Sequence, residues 1–372
     1  MANSGVSTES FASGSSDTYS GKKFRVAMVG CGGISKVHIE AMQKMPDVEI
    51  VAGCDTRPDR LKWFTEIAKC NNVFENYAQM LKAMKGQIDG VNVCTPNGEH
   101  APAVIAALKA GCHVITEKPM AMTPKECQVM IDTAKKVKKK LVVGFQYRYH
   151  PNTQALVRAR EAGQFGNIMF VKCQALRRRG IPNWGVFGQK HLQGGGPMID
   201  IGVHVIEMAH YVMGSPKPVA ATGNTWTYLG DKKSDVASQW PGWDYKTYTV
   251  EDLAIGHIRF DNGAVLHIEA SFAAHIEKDI WNFTLMGDKG GCSWEPCSVF
   301  TDRDGTMWNS GAAFTGAGDF ASMFYSKLRN WVDGCTKGAT LVAPGEAGIA
   351  VQKILDGVYR SAASGGKEVK ID

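Results

Sequence analysis

The stretch Val26-Ala27-Met28-Val29-Gly30-Cys31-Gly32-Gly33-Ile34-Ser35 decides the fold. Four apolar residues read as a buried strand. The glycines make a tight turn, and residues 34–45 follow with helical spacing. At such a junction the backbone N–H groups of the helix N-terminus are free to receive a pyrophosphate, and glycine lets the chain come close to it. Gly30, Gly32, Gly33 and Ile34 therefore form a candidate phosphate turn, with Ser35 standing where a smaller residue is usual. Asp55 ends the next strand-like run, about twenty residues on, where an acid accepts the adenosine ribose hydroxyls and repels a 2′-phosphate. The pair favours NAD over NADP. Arg57 pulls the other way, since its guanidinium could stack on adenine or reach a 2′-phosphate.

Outward from this turn, strands and helices alternate from 23 to 145. Strand-like runs at 24–29, 48–54, 90–94, 113–116 and 141–145 are separated by helical patterns at 35–45, 57–69, 77–84 and 101–110. Thr123-Pro124-Lys125-Glu126 opens a further helix with an N-cap, a first-turn proline and an acidic third residue. Strands joined by crossover helices make a parallel, doubly wound sheet that binds ligands at the strands' carboxyl ends. Thr95-Pro96-Asn97, with His100 behind it, follows the third long strand. Glu117-Lys118-Pro119 follows the fourth, and Gln146 the last.

After His150-Pro151 the grammar changes. A helix at 152–162 precedes strand-like runs at 168–176, 218–227, 253–260, 264–272 and 280–286. Asn262-Gly263 between two alternating runs predicts an antiparallel hairpin. Helical patterns at 197–212, 320–335 and 344–362 complete an α+β region with helices on one face of a mostly antiparallel, open sheet. The organisation expected is an arm over 1–22, rich in Ser and Gly, an α/β dinucleotide domain over 23–145, and an α+β substrate and oligomerisation domain over 146–372. Phe272, Trp281 and Phe283 are expected on the outer face of that sheet.

Composition excludes several classes. At 372 residues the chain can bury two cores, and no apolar run approaches the ~18–20 residues of a membrane helix. The net charge of +6 owes much to the lysines of 135–140, which close a helix and complement its dipole. No aromatic-interleaved basic stripe points to nucleic acid. Ten cysteines without a C-x-x-C pair suit buried, reduced thiols. With no apolar leader core at 1–22, the expected location is the cytoplasm.

The second informative stretch is Gly194-Gly195-Gly196-Pro197-Met198-Ile199-Asp200-Ile201-Gly202-Val203-His204. Asp200 and His204 stand four apart on one helix face, among apolar neighbours. They either pair with each other or face a cleft; a metal site adding Glu207 is a third option, without a second ligand cluster to support it. Gly202 leaves room between them for a ligand to approach.

Gly30-x-Gly32 with Asp55, Thr95-Pro96-Asn97 with His100, Glu117-Lys118-Pro119 and Asp200-x-Gly202-x-His204 occur in one order and spacing. Together they resemble the glucose–fructose oxidoreductase / inositol dehydrogenase / MocA family over residues 23–365. The resemblance implies an N-terminal Rossmann domain and a C-terminal domain whose open sheet makes a homo-oligomer. It implies an NAD-dependent oxidoreductase acting on a secondary alcohol of a sugar, inositol or related polyol. Lys118 would polarise the substrate oxygen, His204 would move the proton, and Asp200 would orient the imidazole. Glu117, His100 and Gln146 join the cofactor set. Arg148, Arg177, Trp184 and His191 join the substrate set, and Trp240 or Trp243 could reach a site from a neighbouring subunit. A rival within the same motifs is a glycoside hydrolase that retains NAD, oxidises C3 transiently and eliminates the aglycone. It needs a base for C2, from Tyr147, Tyr149 or His191. A third reading is a ligand-binding regulator.

Overall fold

The computed structural model describes residues 20–372, so most of the expected arm lies outside the described residues. The first sheet and its helices run β1 (Phe24–Val29), α1 (Gly33–Gln43), β2 (Val48–Cys54), α2 (Pro58–Ala68), β3 (Val73–Phe74), α3 (Tyr77–Ala83), β4 (Gly90–Val93), α4 (His100–Lys109), β5 (His113–Thr116), α5 (Pro124–Lys136) and β6 (Leu141–Val143). The strands are parallel in the order β3-β2-β1-β4-β5-β6. The order reverses between β1 and β4, and a crevice for a ligand opens at the carboxyl ends there. The capping box at Thr123 and Glu126 forms as expected. The two-residue β3 was not foreseen, because so short a pairing leaves no periodicity to read.

The second part runs α6 (Pro151–Glu161), β7 (Ile168–Leu176), α7 (Lys190–Gln193), α8 (Val203–Val212), β8 (Pro218–Trp226), β9 (Leu253–Phe260), β10 (Val265–Ser271), β11 (Ile280–Gly287), β12 (Gly290–Ser293), β13 (Ser298–Arg303), β14 (Thr306–Gly311), α9 (Phe320–Thr336), α10 (Gly345–Ala363) and β15 (Val369–Lys370). They build a nine-stranded sheet, β14-β13-β12-β11-β7-β10-β9-β8-β15. It is antiparallel except where β7 meets β10. The Asn262-Gly263 turn joins β9 to β10 as the sequence predicts. The mostly exposed strands β13 and β14 sit at the sheet's end, where no alternation of apolar residues marks them.

One expectation about this sheet is overturned. Phe272 and Phe283 are fully buried on the helix-covered side. The other face carries Lys172, Gln174, His267 and Glu269, a half-buried polar set in which Glu269 accepts from Gln174 (2.8 Å) and His267 (3.0 Å). Strand alternation explains it: Val171, Cys173 and Ala175 of β7 point inward with Leu266, Ile268 and Ala270 of β10, so the residues between point out.

Helix α9 lies late in the chain yet packs on the first sheet. Its Trp331 is fully buried and stands edge-on to Phe24 at 5.5 Å, within a core of Val26, Met28, Ile39, Met42 and Leu328. The core of the dinucleotide domain is therefore completed by residues nearly 200 positions beyond its last strand, a separation read directly from the numbering. Truncating Trp331 to Ala should cost about 3–5 kcal/mol, seen as an earlier denaturant midpoint and a lower melting temperature. An unchanged melting temperature would show that the first sheet does not lean on α9.

Candidate active site

A cleft of about 700 Å³ opens where the first sheet's carboxyl edge meets the second part of the chain. Gly30 has φ +88°, and a Cβ there would lie 2.6 Å from the Cys94 backbone, so only glycine lets the turn rest against the end of β4. Gly32 and Gly33 line the cleft, and apart from the adjoining backbone no atom of the described residues lies within 4 Å of where their Cβ atoms would be. The Asp55 carboxylate sits beside this turn, accepting the Cys31 N–H at 2.8 Å and the Arg57 N–H at 3.0 Å. The Arg57 guanidinium instead grips Asp59 through two bonds, at 3.1 and 2.7 Å, on the exposed surface. Ile34, Thr95, Pro96, Asn97, Glu117 and Gln146 all line the cleft. Thr95 Oγ1 and Gln146 Oε1 are buried there without a hydrogen-bond partner among the described residues. An open glycine cradle, an acid at the end of β2 and two orphaned polar atoms fit a dinucleotide.

His100 is placed differently from expectation. It is buried, with its ring nitrogens 2.8 Å from the Pro119 carbonyl and 2.9 Å from that of Thr95. It braces the two motif loops from behind and does not line the cleft.

Across the cleft, the Lys118 ammonium donates to Asp200 twice, to Oδ1 at 3.0 Å and to the main-chain oxygen at 2.8 Å. The expected Asp200–His204 bond is absent. Met198–Gly202 is wound as a π-helix ahead of α8, so residues four apart no longer superpose. His204 instead lies against Tyr147 (5.2 Å) and Trp281 (5.9 Å), and its buried Nδ1 has no partner among the described residues. Burial and then the Lys118 charge hold the imidazole well below its ordinary pKa, so it is neutral at pH 7. Glu207 turns away into a fully buried ion pair with Arg148 at 2.9 Å, so the three-ligand metal option has no ligand set among the described residues.

That pair also corrects the expectation for Arg148. It is 2% exposed, bonds Glu207 and the Val342 carbonyl, and lies outside the cleft lining. Its position just before α6 turns it into the core under Tyr211, at 4.5 Å. His191 likewise lies exposed on α7, outside the lining, and its neighbour Gln193 takes the place expected of it. Arg177 and Trp184 do line the cleft. Trp240 stands behind this wall in the same chain, edge-on to Trp184 at 4.8 Å and outside the lining itself, while Trp243 donates to the Gly230 carbonyl within its own loop.

The glycines of 194–196 serve the protein itself. A Cβ at Gly195 would run into Tyr359, and one at Gly196 into the Glu251 main chain. The Glu251 carboxylate accepts the Gly196 and Met198 N–H groups and the Tyr359 hydroxyl, capping the helix that carries Asp200. Gly202 packs on Ala270 and Met198 and opens onto no ligand space.

The strongest constraint escaped the sequence altogether. Glu117 is buried, and its Oε1 takes the Lys327 ammonium at 2.6 Å and His38 Nε2 at 3.0 Å. His38 Nδ1 in turn meets Asn92 at 2.7 Å, and Glu117 Oε2 accepts the Lys118 N–H at 3.2 Å. Lys327, from α9, is itself fully buried. Burial alone would raise the Glu117 carboxyl, but Lys327 and His38 outweigh it and hold it well below the usual range. Burial keeps His38 neutral, down to about 4. Phe320, where α9 begins, lines the cleft together with Trp281. Neither has a motif around it to announce the role.

A glycine turn and a lysine on one wall, with an acid and an imidazole facing them from the other, define an oxidoreductase of the NAD-binding Rossmann class. A family model described as "Oxidoreductase family, NAD-binding Rossmann fold" matches residues 24–145, and one described as "Oxidoreductase family, C-terminal alpha/beta domain" matches 160–371. The chain belongs to the Gfo/Idh/MocA oxidoreductase family. It is 37% identical over 343 residues to the D-glucoside 3-dehydrogenase of Escherichia coli (strain K12), covering 92% of this chain and 96% of that one. The levoglucosan dehydrogenase of Pseudarthrobacter phenanthrenivorans is 33% identical over 216 residues, 54% of this chain and 53% of the relative. In structure the chain resembles a levoglucosan dehydrogenase complexed with NADH and levoglucosan, with a TM-score of 0.81, 24% identity, and coverage of 94% of this chain and all of that one.

Replacing Lys327 with Met should cost about 3–5 kcal/mol at pH 7, because it leaves the Glu117 charge buried alone. The pH dependence should change sign. In the wild type the depressed Glu117 pKa contributes stability above its unfolded value, ~4.3, and this is lost as pH falls through the folded value. In the variant burial raises the carboxyl, so stability drops as pH rises past that point. Melting temperatures between pH 4 and 8 should show a gap that widens with pH, and a constant gap would refute the ionised pair.

Proposed function

We propose that the protein is an NAD-dependent dehydrogenase of a sugar or polyol secondary alcohol, most simply a glucoside. The observation that carries this is the facing of Lys118 and a neutral His204 across the cleft that holds the phosphate turn. The α1 N-terminus with Gly32 and Gly33 would hold the pyrophosphate, Asp55 the adenosine ribose, and Thr95 and Gln146 the inner end of the dinucleotide. Bound NAD supplies the hydride acceptor. The engagement of Arg57 with Asp59 supports NAD over NADP.

A lysine ammonium has three N–H donors. Asp200 takes two, through its carboxylate and its carbonyl, so the third is free for the substrate hydroxyl oxygen. There it stabilises the charge that develops on oxygen as the hydroxyl proton leaves. His204, neutral at working pH, accepts that proton as the hydride leaves the carbon, and returns it when a ketone is reduced. Asp200 positions Lys118, in place of the imidazole-orienting role expected from sequence.

The relatives named for D-glucoside and levoglucosan oxidation support a sugar substrate. The glycosidase reading gains no comparable support. Tyr149 is engaged with Asn330 and His191 lies outside the cleft. Tyr147 lines the cleft, but burial raises its phenol and makes it a poorer base at neutral pH. Ten cysteines without a disulfide support a cytoplasmic setting, and the open nine-stranded sheet supports a homo-oligomer.

Lys118→Ala and His204→Ala should each lower kcat by about 10²–10⁴ with the melting curve intact; near-wild-type turnover in both would sink the assignment. Because the His204 pKa is lowered, kcat/KM should stay level as pH falls from 8 to 6, whereas an ordinary histidine would lose activity near 6.5. A panel of sugars, inositols and aryl glycosides with NAD or NADP should give net NADH and a higher kcat/KM with NAD. Aglycone release without net NADH would instead establish the glycosidase.

A further inference from the structure

The cleft does not end at the reacting groups. Arg177 lines the same cleft as Asp200, Tyr147 and His204, with one guanidinium N–H given to the Gly180 carbonyl at 3.1 Å. Its guanidinium lies 5.0 Å over the ring of Trp240. Trp240 meets Trp184 edge-on at 4.8 Å and 90°, and Trp184 meets Phe187 at 6.1 Å and 74°. Trp184 stays 49% exposed, with Arg177 and Phe187 lining the same cleft. A large aromatic left half in water beside a functional cleft is a surface waiting for a flat apolar partner.

The platform is built into the fold. The loop after β7 carries Trp184, and the loop between β8 and β9 carries Trp240. Asn183 Nδ2 joins them by donating to the Pro241 carbonyl at 2.8 Å. The buried Asp252 carboxylate gathers the N–H groups of Tyr228, Leu229 and Gly230 at 2.9, 2.7 and 2.7 Å, and so holds the root of the second loop. Tyr248 is buried beneath it and bonds the Glu251 carbonyl at 3.0 Å. Two loops tied to each other and to a buried carboxylate hold their indoles in place before any ligand arrives.

Position then limits what the platform can receive. The dinucleotide groups lie on the first sheet's side, and the oxidised carbon must sit beside Lys118 and His204. Arg177 and Trp184 line the same cleft as those groups, and Arg177 lies over Trp240. Trp184 belongs to a loop of the second part of the chain, so a group resting on it is a part of the substrate beyond the ring being oxidised.

Resting on the dehydrogenase reading above, we propose that Trp184 and Arg177, backed by Trp240, form an aglycone subsite. The protein's substrates are then glycosides whose second group offers a flat apolar face, from an aryl ring or from the C–H face of another pyranose. Stacking on indole supplies the affinity, and Arg177 donates to the oxygens that flank the glycosidic bond.

The test compares methyl glucoside, phenyl glucoside and a glucosyl disaccharide, in both anomers, by NAD reduction. The wild type should show a KM for the phenyl glucoside or the disaccharide about tenfold below that for methyl glucoside. Trp184→Ala and Trp240→Ala should each remove roughly five- to tenfold of that preference. Trp184→Phe should restore most of it, and kcat should move less than KM. Equal losses on methyl and extended glucosides, or no wild-type preference, would overturn the subsite. Calorimetry of phenyl glucoside with the protein and NADH separates the two readings. Binding that weakens in Trp184→Ala, with no NADH formed from any glucoside, would retain the subsite and reject the dehydrogenase. Absence of both binding and turnover would reject the subsite.

Discussion

A carboxylate sealed from water has to be answered by a cation, and Glu117 is answered from 210 residues away. Isolated, the charge would be expelled or neutralised by protonation. Paired with Lys327 and bonded to His38, it stays ionised and immobile. Because Glu117 also accepts the N–H of Lys118, the pair sets where the Lys118 side chain begins. It likewise fixes α9 against the first sheet, and with α9 come Trp331 in the core and Phe320 in the cleft wall. Sheet, cleft and lysine thus share one electrostatic anchor.

The two halves of the fold were not equally legible. The parallel sheet could be read almost strand by strand, since each crossover unit is local and carries its own turn and cap signals. The hairpin at Asn262-Gly263 was legible for the same reason. The strands after Cys292 were not, because they are largely exposed and show no alternation. Among site residues, those inside motifs were placed on the cleft: Gly32, Asn97, Lys118, Asp200 and His204 all reach it. Failure came where a side chain's direction depended on a distant partner. Arg148 is polar and follows the last strand of its domain, as Gln146 does, yet Glu207 draws it inward. His100 belongs to a motif but serves two carbonyls behind it. Lys327 has no motif at all, since a lysine in an amphipathic helix is usually solvated.

The charges in the cleft follow a consistent logic. Burial lowers the proton affinity of the His204 imidazole and the Lys118 charge adds to it, so the ammonium and the neutral ring coexist without a direct bond between them. An Asp200–His204 bond would have stabilised the imidazolium, against the neutral base that the proposed function requires. Giving Asp200 to Lys118 instead directs the ammonium, and under that proposal leaves His204 free to accept.

The π-helical turn makes that division possible. In a regular α-helix the Asp200 carbonyl would be committed along the helix axis, and its side chain would superpose on His204. With Met198–Gly202 wound more widely, the carbonyl and the carboxylate of one residue both face the same ammonium, at 2.8 and 3.0 Å. Such a turn is looser than its α counterpart and needs support from outside. Glu251 supplies it by bonding the Gly196 and Met198 N–H groups at the helix start, and Gly195 and Gly196 have no side chain because Tyr359 and the Glu251 backbone occupy that space. The glycines therefore act on Lys118 at one remove: they admit the carboxylate that holds the turn, which in turn presents the two oxygens that aim its ammonium.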